Sequence, residues 1–372
     1  MTCSSFGKCG SCVLWQMPYN KQLEYKVEKL KDLFSEFDIP EIEVIYDKDE
    51  FFRARAEFRV WHEDNKSYYA MRKRKEDGRG VIPIDECKIV DKAIYDIMRP
   101  LLDEIEKNEN LRFKLYEIDF LSNAKGELLV TLIYHKKVDE SIKDEIKKLK
   151  EKFPQIDFII RKKGRKFVFD KNYLIEELNI DGEIYRYKII ENTFSQPNRR
   201  VNEKMISWAL RNSKDLNGDL VELYCGNGNF TIPLSKNFKK VIATEINKES
   251  IEAATFNAEI NNRKNITFLA MSAAEFSNLK KENSPLLAGY DLKNVLIDPP
   301  RAGLDDKSRN FVNSFDNIIY ISCNPETLKR DLKFLAKNRK IKAFAFFDQF
   351  PYTEHMECGV VLESKNFKSE LV

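Results

Sequence analysis

Beyond about residue 190 the chain alternates short apolar runs with amphipathic stretches, and this alternation constrains the fold more than any other feature. Strands are expected at 220–224, 240–244, 266–269, 295–297 and 318–321, and helices at 202–210, 230–236, 250–261 and 325–335. Strand and helix in strict turn predict an α/β unit with a mostly parallel sheet covered on both faces. Runs at 342–347 and 359–362 are expected to add an antiparallel hairpin at the sheet edge. The earlier half reads differently: helices at 20–37, 91–108 and 141–153, a β-like stretch over 43–84, and short strands at 115–120, 128–134, 157–160 and 166–169. Phe52 to Val60 alternates, with Arg53, Arg55 and Arg59 on one face and Ala54, Ala56, Phe58 and Val60 on the other. With 372 residues two domains are expected, an α+β region over 1–188 and an α/β domain over 189–372.

Charge restricts the partners only weakly. The 63 Lys and Arg nearly balance the 60 Asp and Glu, so the local basic stretches, mostly before residue 200, matter more than the net +3. No apolar run approaches the roughly 20 residues that span a bilayer, and residues 1–30 lack an apolar signal region. A cytoplasmic protein without a membrane partner is expected. There, the seven cysteines should serve packing, ligation or catalysis rather than structural disulfides.

Residues 219–230 read as strand, Gly-containing turn and helix start. Gly226 and Gly228 let the backbone approach a ligand, and Glu245, 19 residues after Gly226, suits a carboxylate gripping ribose hydroxyls. The third glycine of the dinucleotide fingerprint is missing, which favours S-adenosylmethionine over a dinucleotide; an ordinary tight turn is the alternative. Asp298-Pro299-Pro300-Arg301 is expected to be a stiff loop able to hold a flat base. Cys323 ends an apolar run before Asn324-Pro325, where a helix start would lower its pKa. A thiolate adding to uracil C6 makes C5 nucleophilic toward a methyl sulfonium, after which a base removes the C5 proton. Glu357 is the candidate base, with Glu354 and His355 as local competitors. Cys225 and Cys358 read as packing residues.

Together the stretches Ser195-Gln196-Pro197-Asn198, residues 222–230, Ala243-Thr244-Glu245, Asp298–Arg301, residues 320–328 and residues 348–359 resemble the bacterial tRNA (uracil-5-)-methyltransferases. The likeness extends more loosely to residues 57–62 and 134–137. The resemblance implies a class I S-adenosylmethionine-dependent, Rossmann-like methyltransferase sheet behind an N-terminal α+β RNA-binding domain. It implies that Gln196, Tyr224, Asn229, Glu245 and Asp298 contact S-adenosylmethionine, that Cys323 is the nucleophile and that Glu357 accepts the proton. The implied partner is the T arm of tRNA, or tmRNA, with no obligate protein partner.

Cys3, Cys9 and Cys12, with the distant Cys87, depart from that family and resemble the ligands of the [4Fe-4S] cluster in the sister 23S rRNA uracil-5 methyltransferases. A zinc site and an empty knuckle are the alternatives. The departure keeps 23S rRNA open as a substrate. An RNA-folding role with methylation secondary, and amino-group methylation, are further rivals. Arg59, Tyr116 and His135 are the candidate RNA contacts, because an extruded base and its opened loop call for cationic and aromatic side chains. Arg72-Lys73-Arg74-Lys75 reads as a loop that attracts phosphates.

Overall fold

The computed structural model describes residues 1–136, 142–282 and 284–365. Lys137, in the stretch of looser family likeness, and Ser141, the expected start of a helix, lie outside them. In chain order the strands are β1 (Ile42–Ile45), β2 (Arg55–Glu63), β3 (Lys66–Arg72), β4 (Val81–Ile84), β5 (Leu115–Ser122), β6 (Leu128–Tyr134), β7 (Ile156–Lys162), β8 (Arg165–Val168), β9 (Tyr173–Ile180), β10 (Glu183–Ile190), β11 (Asp219–Leu223), β12 (Val241–Glu245), β13 (Ile266–Ala270), β14 (Leu292–Ile297), β15 (Asn317–Ser322), β16 (Arg339–Phe347) and β17 (Glu357–Ser364).

An eight-stranded sheet runs β1-β16-β17-β15-β14-β11-β12-β13. Its pairs are parallel except where β17 meets β15 and β16. Leu220, Leu296, Ile319 and Val361 face the helix Arg199–Ser213, while Val221, Ile297, Ile318 and Val360 pack in the core on the other face. Strands buried on both faces explain the near-continuous apolar runs. The fold is thus the α/β architecture with a mostly parallel sheet that the sequence pattern predicts, in the Rossmann-like form that the resemblance implies.

The closing hairpin exists but does not form the sheet edge. β1 pairs in parallel with β16 and takes the edge, with Val44 opposite Phe346. Helix Tyr19–Leu33, which precedes β1, packs Leu23 and Leu30 into the same core as Phe344. Residues 19–45, well before position 188, therefore supply an edge strand and a packing helix to the eight-stranded sheet.

The second sheet has seven strands, β4-β3-β2-β5-β6-β7-β8, and packs on helices Lys92–Glu106 and Ile142–Lys152. β2 keeps the alternation expected of it: Ala56, Phe58 and Val60 are buried, and Glu57, Arg59 and Trp61 are exposed. The β9–β10 hairpin, which the sequence reading left out, lies on helix Lys248–Ile260 and the start of helix Arg199–Ser213. Arg199 ties the parts together, pairing with Glu176 at 2.6 Å and Asp91 at 3.2 Å and donating to the carbonyl of Ser122 at 3.3 Å. No helix among the described residues is long and apolar enough to cross a membrane.

Candidate active site

The C-terminal ends of β11, β14 and β15 meet where the parallel strands open onto their crossover loops, the position at which such sheets bind ligands. β11 leads into Tyr224, which takes a left-handed φ of 64°, a costly conformation for a bulky residue. Gly226 and Gly228 follow at φ 54° and 85°. A Cβ at Gly226 would meet nothing within 4 Å, so this turn faces open space. The Gly226 N–H donates to Glu245 Oε2 at 3.3 Å, and the Asn247 N–H to Glu245 Oε1 at 2.9 Å. Glu245 is thereby fixed at the end of β12, beside the turn.

A cavity with about 700 Å³ of empty space, counting its open side, lies against this turn. Gln196, Tyr224, Asn229 and Asp298 line it, four of the five residues expected at the cofactor; Glu245 does not. Asn229 and Asn202 exchange two amide hydrogen bonds, at 2.8 and 2.9 Å, and Tyr187 donates to the Asn229 carbonyl at 3.1 Å. These bonds hold Asn229 in the wall.

Two further wall residues were not anticipated. Phe194 is 72 % exposed at the rim. Glu222 is buried within β11, and its Oε2 has no partner among the described residues. Burial pushes the Glu222 carboxyl up to about 8. A carboxyl between Val221 and Leu223, within the buried strand, was the available signal for it. Such an unpartnered oxygen in a cavity wall suits a cationic or hydrogen-bond-donating ligand.

Cys323 follows the last residue of β15. Ser322 pairs with Cys358, so the antiparallel register brings Glu357, which precedes Cys358, opposite Cys323. Asp298 follows β14 on the same sheet face: Ile297 pairs with Tyr320, and the next positions run toward Ile321 and Cys323. The loops are tied together, because Asn324 Nδ2 and Thr327 Oγ1 donate to the Arg301 carbonyl at 3.0 and 3.4 Å. Asn324 also caps helix Pro325–Leu335, with Pro325 at its first position.

The electrostatics of this corner differ from expectation. The Cys323 thiol is not lowered: burial, then Glu357 and then Asp298 push it up to about 11, with Arg301 opposing. The helix begins only beyond Asn324, so its end does not offset two nearby carboxyls. Asp298 is buried and pushed up to about 7. Burial, and then Asp298, hold the Glu357 carboxyl well above its usual range, and its Oε1 has no partner among the described residues. Glu354, by contrast, is exposed and pairs with Lys29 at 3.1 Å, and His355 is exposed. Cys225 and Cys358 are buried at 3 % and 0 % exposure, consistent with packing roles.

A groove leads to Cys323 and is lined by Arg53, Arg55, Cys87, Arg301 and His355. Away from it, the three candidate RNA contacts come together. The Tyr116 and His135 rings stack with centroids 4.0 Å apart, and the Arg59 guanidinium lies 5.5 Å from the Tyr116 centroid. A slip in the β5–β6 register at this point sets Tyr116 off the regular ladder.

The N-terminal cysteines also converge. Burial raises the Cys12 and Cys87 thiols, and the other members of the set raise them further. Gly10 and Cys9 dock on β3 through the Gly10 N–H to the Arg72 carbonyl (2.9 Å) and a bridge to Lys73. Even so, among the described residues no group of three or more His, Cys, Asp or Glu is placed to hold a metal ion.

Comparison with known proteins bears on the whole chain. A family model described as tRNA (Uracil-5-)-methyltransferase matches residues 18–365. A tRNA/tmRNA (uracil-C(5))-methyltransferase of Nautilia profundicola is 81% identical over 363 residues, covering 98% of this chain and 100% of that protein. A protein of the same description from Acinetobacter baylyi is 44% identical, covering 93% of this chain and 98% of its own. Among solved structures, the Pyrococcus abyssi tRNA (uracil-54, C5)-methyltransferase in complex with S-adenosyl-L-homocysteine superposes with a TM-score of 0.72 at 25% identity, covering 95% of this chain and 85% of that one.

Proposed function

The chain belongs to the tRNA (uracil-5-)-methyltransferase family, and from that premise we propose that this enzyme methylates C5 of the T-loop uridine of tRNA, the position numbered 54 in the Pyrococcus abyssi relative, through a covalent Cys323–C6 adduct. Bound S-adenosylmethionine supplies the methyl group as an electrophile on a sulfonium. Gln196, Tyr224, Asn229 and Asp298 would hold it against the cavity wall, with Glu245 at the end of β12 receiving ribose hydroxyls. The unpartnered Glu222 oxygen and the open Gly226 turn support that fit.

The observation that carries the reading is the register that sets Cys323 opposite the buried Glu357, beside a cavity that Asp298 lines. Cys323 gives up its thiol proton to solvent in the groove that leads to it, and its sulfur bonds to C6 of the flipped uracil. The C5–C6 double bond is consumed, and C5 acquires the electron pair that takes the methyl. Glu357 then accepts the C5 proton, the double bond reforms, and the C6–sulfur bond breaks to return the thiolate. Burial makes Glu357 a strong base once ionised, and a cation in the Asp298 cavity favours that ionisation. Glu354 is less suited, because it is exposed and engaged by Lys29.

The substrate is read as the T arm of tRNA, bound in the cytoplasm, with Arg59, Tyr116 and His135 contacting the opened loop and the region before residue 189 supplying most of the RNA surface. Methyl transfer from labelled cofactor to an unmodified tRNA transcript, beside a 23S rRNA fragment, tests this. Label confined to the T-loop uridine and lost in Cys323→Ala is expected; label on the rRNA alone would overturn the choice of substrate.

A further inference from the structure

Trp61 is a large aromatic side chain left 51 % exposed on a sheet face that also carries cations. It stands two residues beyond Arg59 on β2, so both project from the outer face. The register across the sheet sets the rest of the surface. Arg59 pairs with Ala70, and Ala70 with Pro83, so these three form one row across β2, β3 and β4. Trp61 pairs with Tyr68 in the next row. The small side chain of Ala70 leaves a cleft floored by Ala70, Val81 and Pro83, walled by Trp61 and Tyr116, and rimmed by Arg59 and Lys73. Lys73 is exposed and lays its alkyl stem 3.7 Å from where a Gly80 Cβ would stand.

We propose that this cleft binds one unpaired nucleotide of the RNA substrate, its base stacked on Trp61 and its phosphate held by Arg59 and Lys73. The inference rests on the reading of the chain as an RNA-modifying enzyme. An aromatic plane beside two cations matches the nucleotide as a chemical unit, a π-face joined to an anionic phosphate. Continuity with the target site gives the direction of the strand. Arg55, on the same outer face, lines the groove to Cys323, and Trp61 lies six residues farther along β2. At ~3.4 Å per residue that is roughly 20 Å, a reach of about six stacked nucleotides or fewer unstacked ones. The Tyr116–His135 stack adjoins the cleft, with Arg59 and Tyr116 shared between them. The cleft thus gives the RNA a second aromatic platform, on the far side of Arg59.

The test compares wild type, Trp61→Ala, Trp61→Phe and Lys73→Ala for binding and methylation of one tRNA transcript. Trp61→Ala should weaken tRNA binding by roughly 5- to 100-fold, the range of one lost base–aromatic stack, and raise KM in parallel. Its kcat at saturating tRNA and its affinity for S-adenosylhomocysteine should be unchanged, and Trp61→Phe should stay within about threefold of wild type. Lys73→Ala should reduce the slope of log affinity against log salt by about one, whereas Trp61→Ala should leave that slope alone. Unchanged tRNA affinity in Trp61→Ala, with wild type methylating normally, would overturn the cleft proposal. A wild-type enzyme that transfers no methyl to this RNA would instead defeat the functional reading on which it rests.

Discussion

Glu357 stands close enough to Asp298 for the Asp298 carboxyl to push its pKa further up, on top of what burial already does. Two buried carboxyls that resist joint ionisation are poised to respond to a positive charge between them. The cofactor read for this cavity carries such a charge at sulfur, and its demethylated product does not.

Cofactor affinity should therefore depend on pH. Asp298 is held near 7 by burial, so its carboxyl is largely protonated at pH 6 and largely ionised at pH 8. Binding of the sulfonium favours the ionised form, so the Kd for S-adenosylmethionine should fall as pH rises, by roughly tenfold over one to two units. Titration calorimetry should find a weaker trend for S-adenosylhomocysteine and a flatter one for Asp298→Asn. Equal pH dependence for both ligands would count against the assignment.

Glu357→Gln should separate the two halves of the proposed reaction. Without a proton acceptor, the methylated base stays attached to Cys323, and turnover should fall by about 10²- to 10⁴-fold. A denaturing gel should then reveal a protein–RNA conjugate with ordinary tRNA. A variant that turns over at more than a tenth of the wild-type rate would move the base elsewhere, with His355 first in line because it lines the same groove.

Free enzyme should protect its nucleophile by keeping it protonated. With the Cys323 thiol pushed up to about 11, against about 9 for an ordinary cysteine, thiolate is scarce at pH 8. Two units cut the thiolate about a hundredfold, while its higher intrinsic nucleophilicity recovers about tenfold, so alkylation by iodoacetamide should run about tenfold slower than for an exposed cysteine. Peptide mass spectrometry can follow Cys323 separately from the other six. Its rate should rise through pH 10, and should rise earlier in Glu357→Gln, where one carboxylate is gone.

Arg199 should be a keystone of stability rather than of chemistry. Arg199→Met removes the partner of Glu176, which is 7 % exposed, and should cost about 3 kcal/mol in urea unfolding near pH 7. Burial, outweighing its Arg199 partner, raises the Glu176 carboxyl pKa. A raised carboxyl disfavours folding once it must ionise, and in the variant only the N–H groups of Ala124 and Glu177 oppose that rise. The deficit should therefore shrink as pH falls below the native Glu176 pKa, where the group is neutral in both proteins. A deficit constant between pH 4.5 and pH 8 would argue that lost packing, not the stranded carboxylate, is responsible.

Much of the candidate active-site corner was legible because it is written in short contiguous stretches. Cys323-Asn324-Pro325 and Asp298-Pro299-Pro300-Arg301 each place chemistry at a strand end, and strand ends are where apolar runs stop. The alternation of β2 likewise identified Arg59. What stayed hidden depends on pairing between distant segments. Nothing local in Ile42–Ile45 says that it will lie beside Phe344–Phe347, so β1 as the sheet edge could not be read. The raised thiol of Cys323 has the same origin, because Glu357 and Asp298 reach it only through register. Trp61 falls on the same face of the β2 alternation as Arg59, but the cleft beside it depends on the pairing of Arg59 with Ala70 and of Ala70 with Pro83, which no local pattern shows.

The central claim is the covalent bond between Cys323 and uracil, and it can be weighed directly. tRNA transcript containing 5-fluorouridine, incubated with enzyme and S-adenosylmethionine, should yield a stable conjugate, because fluorine at C5 leaves no proton for Glu357 to remove. After nuclease and protease digestion, mass spectrometry should find the Cys323 peptide carrying one methylated fluorouridine nucleotide, and no conjugate from Cys323→Ala. A conjugate on another residue, or methylated RNA with no conjugate at all, would contradict the mechanism.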